Sequence, residues 1–442
     1  MKKRVFIVDG LRTPFLKASG PLSPFSASDL AVYAARPLFA RMPFEASEID
    51  EVIIGCVGQP AAEQNIARVI ALRLGCGKYV PAYTVHRNCA SGLQALANGY
   101  DAISSGRADL ILAGGTEAMS HSPIQYSQKM ADWFAKFSRA KSVMEKIKLL
   151  TRLRLSYLKP VITLLLGLFD SLYNMSMGQT AEKVAYRFGI TRKEQDEFAL
   201  ESHKKLAAAQ DAGLLKEEIT PIFDSRGNIY TEDNGLRRDS TMKGLAKPKP
   251  AFDKKYGTVT PGNSSQITDG AAMLILASEE AVKKYNLPVL GEIIDYAFAG
   301  VDPTEIGLGP VNATAKLLVK NNLAMDDIGQ VELNEAFAAQ ALGCQAALES
   351  EDYAKKELGL EKPLGKIKSE RLNPEGGAIA MGHPVGASGA RIILHLARVL
   401  KNKELGVATL CIGGGQGGAM LIRALKSPTC HLGRQVDKRG EK

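Results

Sequence analysis

The sequence predicts an α/β fold built from two similar halves. Three observations predict it. Strand-like apolar runs alternate with helical ones. Glycine, 42 of 442 residues, clusters at the ends of those runs. One helix-then-strand pattern also occurs twice. Taken in order, Val5-Phe6-Ile7-Val8 reads as a first strand, directly behind Lys2-Lys3-Arg4. Val52-Ile53-Ile54-Gly55 reads as a second strand and 82–85 as a third. A helix is predicted over 89–105, then a strand over 110–113 that closes in Gly114-Gly115. Near the C-terminus, the stretch 386–400 carries Ile392, Ile393, Leu396, Val399 and Leu400 at helical spacing. A polar turn leads to a strand over 407–411, closing in Gly413-Gly414-Gly415. Ala-Met recurs after each, at Ala118-Met119 and Ala419-Met420. We read a duplicated α/β unit. Residues 1–122 with 251–286 form one half, 287–430 the other, and 431–442 a polar tail.

Residues 123–250 differ and read as an inserted loop domain. Thr191 is placed to cap a charged amphipathic helix over 191–206, with Glu194 completing a capping box. The stretch 224–250 is polar and reads as loop. Residues 129–159 hold nine Lys or Arg against Asp132 and Glu145, a net +7 out of the chain's +9, and the only tryptophan, Trp133. The apolar run 161–169 follows. Two readings stand. The insert lies on an anionic membrane or a partner, or it is a helical cover on its own domain with its charge in water.

Composition bounds the function. At 45% hydrophobic and 23% charged, the chain is ordinary globular protein. Its longest apolar run, 160–169, falls well short of the roughly 20 residues that span a bilayer. No apolar stretch of the secretory kind follows the basic N-terminus, so a cytoplasmic protein is expected, with 129–169 the segment that would touch a membrane peripherally. The six cysteines, at 56, 76, 89, 344, 411 and 430, show no zinc or redox spacing and no disulfide framework. No metal is expected. A +9 chain suits a small polyanion or an anionic surface. No nucleic-acid module is present to support that third partner class.

Four stretches carry chemistry. In Asn88-Cys89-Ala90-Ser91-Gly92 a cysteine stands where a strand ends and a helix begins. The helix N-terminus offers free N–H groups and a positive dipole end, which lowers a thiol pKa. A buried, inert cysteine is the alternative. In Gly376-Gly377-Ala378-Ile379-Ala380-Met381-Gly382-His383-Pro384 a histidine sits in a loop of small residues, a natural general base for a thiol. Cys411-Ile412-Gly413-Gly414-Gly415 ends a strand in glycines whose N–H groups can face an oxyanion. It lacks the Lys-Ser/Thr ending of a phosphate loop. Asn334-Glu335-Ala336-Phe337 ends the run 331–333 with an amide able to hold a water or carbonyl.

In this order the four stretches resemble the active-site motifs of thiolases. Arg12-Thr13-Pro14-Phe15, Gly114-Gly115-Thr116-Glu117-Ala118-Met119, Gly257-Thr258-Val259-Thr260 and Gly262-Asn263-Ser264-Ser265 are similar to further family stretches, and the likeness runs over about 4–425. The long middle region resembles the β-subunits of fatty-acid-oxidation trifunctional enzymes, in which the insert is associated with membrane contact. Many of those have His where this chain has Asn334. The resemblance implies a five-layered αβαβα core. It implies cleavage of 3-oxoacyl-CoA by coenzyme A, with an acyl group carried on Cys89, His383 as base and Cys411 as the acid for the leaving enolate. One oxyanion site would come from His383 and a water on Asn334, the other from the backbone N–H groups of Cys89 and Gly413. Met177, Arg237 and Ser265 would contact coenzyme A. No permanently bound cofactor is implied: coenzyme A and acyl-CoA are substrates. A homodimer or tetramer and a hydratase–dehydrogenase partner are the implied assemblies. Ketoacyl synthases share the fold but resemble a Cys-His-His set, which Cys411 argues against. Condensation to acetoacetyl-CoA and a scaffold or membrane-docking role are the competing functions.

Overall fold

The structure, a computed structural model, describes residues 3–18 and 23–425; Cys430 and the expected tail 431–442 lie outside them. Nine strands carry the core: β1 (Val5–Arg12), β2 (Glu51–Gly55), β3 (Ala82–Val85), β4 (Leu110–Ala118), β5 (Thr268–Ser278), β6 (Gly291–Gly300), β7 (Gln330–Leu333), β8 (Leu405–Ile412) and β9 (Gln416–Ala424). Their order is β7-β8-β9-β6-β1-β5-β4-β2-β3, and Leu16–Lys17 adds a short tenth strand on β5. The first half supplies β1 to β5 and the second β6 to β9. The antiparallel pairs Val5↔Ile293, Phe6↔Glu292 and Ile7↔Gly291 join them.

Helices α1 (Ala27–Phe39), α2 (Ile66–Arg73) and α3 (Ser91–Ser104) belong to the first half, and α4 (Gln128–Arg139), α5 (Val143–Leu150), α6 (Thr163–Gly167), α7 (Met177–Arg187) and α8 (Arg192–Asp211) to the region between. The second half adds α9 (Gly309–Lys320), α10 (Ala338–Glu349) and α11 (Val385–Val399). Alternation along the strands shows why layers form. Ile53, Ile111, Ala113, Leu274 and Leu276 face the same core as α3 and α11. Their neighbours Val52, Ile54, Leu110, Leu112 and Ile275 face α1 and α2. In the second half Ala408, Leu410 and Ile422 point to the central helices, and Val407, Ala419 and Leu421 to α9 and α10. Period-two runs apolar on both faces are what a sheet covered on both sides demands. Helices α3 and α11 form the middle layer of five.

The predicted strand ending at Gly114-Gly115 is corrected. Strand β4 continues through both glycines to Ala118, fully buried. Each glycine answers to a different neighbour: a Cβ on Gly114 would sit 2.2 Å from the Ala272 oxygen of β5, and one on Gly115 would sit 1.9 Å from the Gly386 carbonyl oxygen of α11. Likewise a Cβ on Gly92 of α3 would stand 2.8 Å from the Ala390 nitrogen of α11. Small residues thus set the distance between the two central helices. The capping box at Thr191 and Glu194 is present, and α8 runs on to Asp211, five residues beyond the expected 206.

In the insert, Trp133 is buried, stacked on Phe137 at 5.0 Å, and its Nε1 donates to the Leu149 oxygen of α5 at 2.9 Å. So α4 and α5 pack on each other. All nine basic side chains of 129–159 face solvent, and so do Val143, Met144 and Leu155. Among the described residues no helix is long and apolar enough to cross a membrane.

A buried ionic chain ties the three regions together. Arg12 of β1, 0% exposed, donates through Nε to Glu218 (2.7 Å) and through both terminal nitrogens to Asp233 (2.7 and 2.9 Å). Glu218 continues to His395 of α11 at 2.9 Å, and Arg391 donates to Glu332 of β7 at 2.9 Å.

Candidate active site

Cys89 lies at the head of α3. Strand β3 ends at Val85, the chain turns through Asn88 at φ +43, and Ser91 opens the helix. Asparagine tolerates that left-handed conformation better than most residues. The Ser91 hydroxyl closes the turn, accepting from the Arg87 N–H at 2.9 Å and donating to the Asn88 oxygen at 2.7 Å. The Asn88 side chain donates to the Gly413 oxygen at 2.8 Å, binding the turn to the opposite half.

The expected lowering of the Cys89 pKa does not occur. Burial pushes the thiol up to about 11; the N–H groups of Gly413 and of Cys89 itself favour the thiolate, and the Glu117 charge disfavours it. The helix end acts as the sequence suggests, but desolvation exceeds it. His383 moves the opposite way, down to about 4, through burial and the positive charge of Arg391. At neutral pH both groups are uncharged.

His383 sits just before α11, buried, its N–H donating to the Gln266 oxygen at 3.2 Å. Its Nδ1 lies 2.6 Å from Ser388 Oγ. That hydroxyl donates to the Pro384 oxygen at 3.0 Å, so it accepts from Nδ1–H. Nε2 is then the basic nitrogen, and it faces the Asn334 amide at 3.4 Å. Asn334 is fully buried at the end of β7, and its Oδ1 has no hydrogen-bond partner among the described residues.

Cys411 is buried on β8, opposite Gly417 of β9, and Gly414 and Gly415 close the hairpin at φ +88 and +78. Burial holds its thiol well above the ordinary range, and the neighbouring Cys89 and Cys344 thiols act in the same direction. Cys56, Cys76 and Cys344 are free and buried elsewhere in the core.

Cys89, Met177 and Gly413 line a cavity of about 370 Å³. Arg237 and Ser265 are not on it. Both are half-buried on the His383 side: Gln266, next to Ser265, donates to the Gly235 oxygen at 2.7 Å and receives the His383 N–H. The structure thus gathers Cys89, Gly413 and Met177 round one cavity and His383 with Asn334 in one cluster, with Ser265 and Arg237 along its edge. Among the described residues no cluster of His, Cys, Asp and Glu fits a metal ion.

Two residues of this site escaped the motif reading. Ser388 orients His383. Glu117, buried on β4 and lining the cavity, accepts from Val57 (3.0 Å), Gly58 (2.8 Å) and Gly386 (3.0 Å). Burial raises its carboxyl to about 7 against those three donors, and Asp269 raises it further. Glu117 stands inside a quoted stretch and Ser388 four residues past another, so the signal was close at hand; the partners of Glu117 lie 59 to 269 positions away.

Comparison with known proteins agrees with this arrangement. The family models for the thiolase N-terminal and C-terminal domains match residues 5–280 and 287–424. A 3-ketoacyl-CoA thiolase of Aliivibrio fischeri is 39% identical over 423 residues, covering 95% of each chain. Its counterpart from Yersinia pestis is 37% identical over 423 residues, 95% of this chain and 96% of that one. Human mitochondrial 3-ketoacyl-CoA thiolase superposes with a TM-score of 0.82 at 35% identity, covering 96% of this chain and 99% of that one. The same human enzyme in complex with CoA gives 0.82 at 35%, over 96% and 98%. The duplicated fold, the cysteine between its halves and these likenesses across both domains have one common reading: the chain belongs to the thiolase family.

Proposed function

We propose that this chain is a 3-ketoacyl-CoA thiolase, cleaving 3-oxoacyl-CoA with coenzyme A to acetyl-CoA and a shortened acyl-CoA. The observation that carries the reading is a thiol, Cys89, at a helix head with two backbone N–H groups aimed at it and a second thiol, Cys411, beside it. In this mechanism His383 Nε2 takes the Cys89 proton as sulfur attacks the 3-keto carbon. Since both groups start uncharged, the transfer accompanies attack rather than preceding it. The new oxyanion is stabilised by the N–H groups of Cys89 and Gly413. The C2–C3 bond then breaks, and Cys411 protonates the departing acetyl-CoA enolate. The second half-reaction exchanges one thioester for another, a nearly balanced step that suits a sulfur carrier. The unpartnered Asn334 Oδ1 suits a water that, with His383, holds the thioester oxygen. Coenzyme A lies along Met177, Ser265 and Arg237. Nothing in this scheme calls for a metal or a resident cofactor. The test is thiolysis of 3-oxoacyl-CoA by the full chain, with mass spectrometry for an acyl adduct on Cys89. No turnover and no adduct would end the reading.

Ser388→Ala leaves Nδ1 without its acceptor. A positioned base contributes about a hundredfold to ten-thousandfold. We expect kcat to fall about ten- to a hundredfold, with KM for coenzyme A unchanged and the pH profile displaced. An unaltered pH profile would leave Ser388 a purely structural residue.

The same reading has the enzyme degrade fatty acids in the cytoplasm as a homodimer or tetramer, alongside a hydratase–dehydrogenase subunit. The reverse condensation uses the same groups. We further propose that the insert rests on anionic membrane. Its exposed basic residues and exposed Val143, Met144 and Leu155 support this. Vesicles rich in phosphatidylserine should pellet the intact protein at low salt and release it at high salt. Equal pelleting by neutral vesicles, or none by either, would remove the proposal.

A further inference from the structure

The cavity at Cys89 has a wall that the chemistry above leaves unused. Among the described residues its lining contains no Lys or Arg, and Arg237 is not on it. The described lining thus offers no counter-charge to the polyphosphate end of coenzyme A. Besides Cys89, the titratable groups on the lining are His86 and Glu117, near the reacting end. The rest is largely apolar. Met119 and Val385 come from the first and second halves of the fold, and Pro123, Leu164 and Leu168 come from the inserted region. Helix α6 is two-faced. Leu164 and Leu168 are half-buried towards the cavity, while Leu165 and Leu166 turn outwards, 59% and 58% exposed. Gly167 lines the cavity and is also exposed, which puts it at the mouth. A Cβ added there has no atom within 4 Å. The glycine is thus required neither by packing nor by a positive φ; it leaves the opening clear.

Resting on the thiolase reading, we infer that α6 is the acyl-chain gauge of this enzyme. The alkyl tail of a medium- or long-chain 3-oxoacyl group lies against Leu164 and Leu168 and leaves past Gly167. Each methylene buried along this wall should raise kcat/KM about fourfold, until the tail reaches the mouth.

The experiment compares the intact enzyme with Gly167→Leu on 3-oxobutanoyl-CoA and 3-oxohexadecanoyl-CoA. We expect the variant to lose at least about tenfold in kcat/KM on the long substrate, the scale on which an apolar pocket discriminates. The short substrate should change by less than about twofold, which also shows that the variant is folded. Leu164→Trp, narrowing the cavity from the helix's inner face, should give the same selective loss. A loss shared equally by both substrates, or long-chain activity untouched in both variants, overturns the gauge and leaves the thiolase reading standing. No turnover of either substrate by the unmodified enzyme overturns the thiolase reading, and the gauge with it.

Discussion

Cys89→Ala is expected to abolish CoA-dependent cleavage, to below about one ten-thousandth of the unmodified rate. The effect should exceed that of any other single change at the site. The acyl group has to be carried between two half-reactions, and no other group can carry it. Cys411 is the other thiol beside Cys89 among the described residues, and burial holds it well above the ordinary thiol range, while its place on β8 gives it no helix head. Burial and Arg391 hold His383 neutral and Ser388 fixes its tautomer, which suits it to moving a proton rather than a carbon chain. On the proposed reading coenzyme A binding should survive, because two of its three proposed contacts, Arg237 and Ser265, lie off the Cys89 cavity. The measurement is steady-state thiolysis beside coenzyme A binding by calorimetry. Cleavage within about tenfold of the unmodified enzyme would sink the covalent route, even with an adduct found on the sulfur.

The second large effect concerns stability. Arg12→Met should lower the unfolding free energy by about 3–5 kcal/mol, the cost of leaving buried charge unpaired. Among the described residues Arg12 is the only cation that donates to Asp233, and it shares Glu218 with His395. Arg12→Lys should recover only part of the loss, since an ammonium cannot reproduce the forked contact. The same chain of charges sets a pH dependence. Burial alone would lower the His395 pKa, but Glu218 and Glu332 raise it from 6.5 to about 9. Its contribution is whole below about 6.5 and lost as pH climbs through 9. Glu218 is held far below its usual 4.5 by His395 and Arg12, so its contribution is whole above 4.5 and lost in acid. Glu117, raised to about 7, weighs in the same direction as His395. Stability should therefore peak in mild acid and fall by on the order of 3 kcal/mol between pH 6 and pH 9. Denaturant titrations at those two pH values check this, and His395→Gln should flatten the alkaline side. Equal stability at both would refute the assignment. A loss under about 1 kcal/mol in Arg12→Met would mean the two carboxylates find other partners.

What the sequence disclosed follows from how local each signal is. Cys89, His383 and Cys411 stand in runs of small residues that have no reason to be so small except close approach, and those runs were readable. The strands at β2 and β3 and the helix α11 were readable from period alone. The length of β4 was not, because Gly114 answers to Ala272 of β5 and Gly115 to Gly386 of α11, 158 and 271 residues further along. Arg12 was visible as part of a family stretch, but its burial depends on Glu218 and Asp233, which nothing near it announces. The Cys89 pKa was read in the wrong direction for the same reason. A helix dipole can be inferred from neighbours in sequence, whereas desolvation is a property of everything packed around the sulfur. The wall formed by α6 was hidden too, since a five-residue helix has too few turns for its pattern to say which side faces inwards.

The pairing of α3 with α11 has one more consequence. Cys89 lies at the head of a helix of the first half, and His383 and Cys411 come from the second. Gly92 and Ala390 touch where those helices cross. Neither half, folded by itself, owns a reaction centre. The site is a property of the seam: it exists only where the two similar halves close on each other.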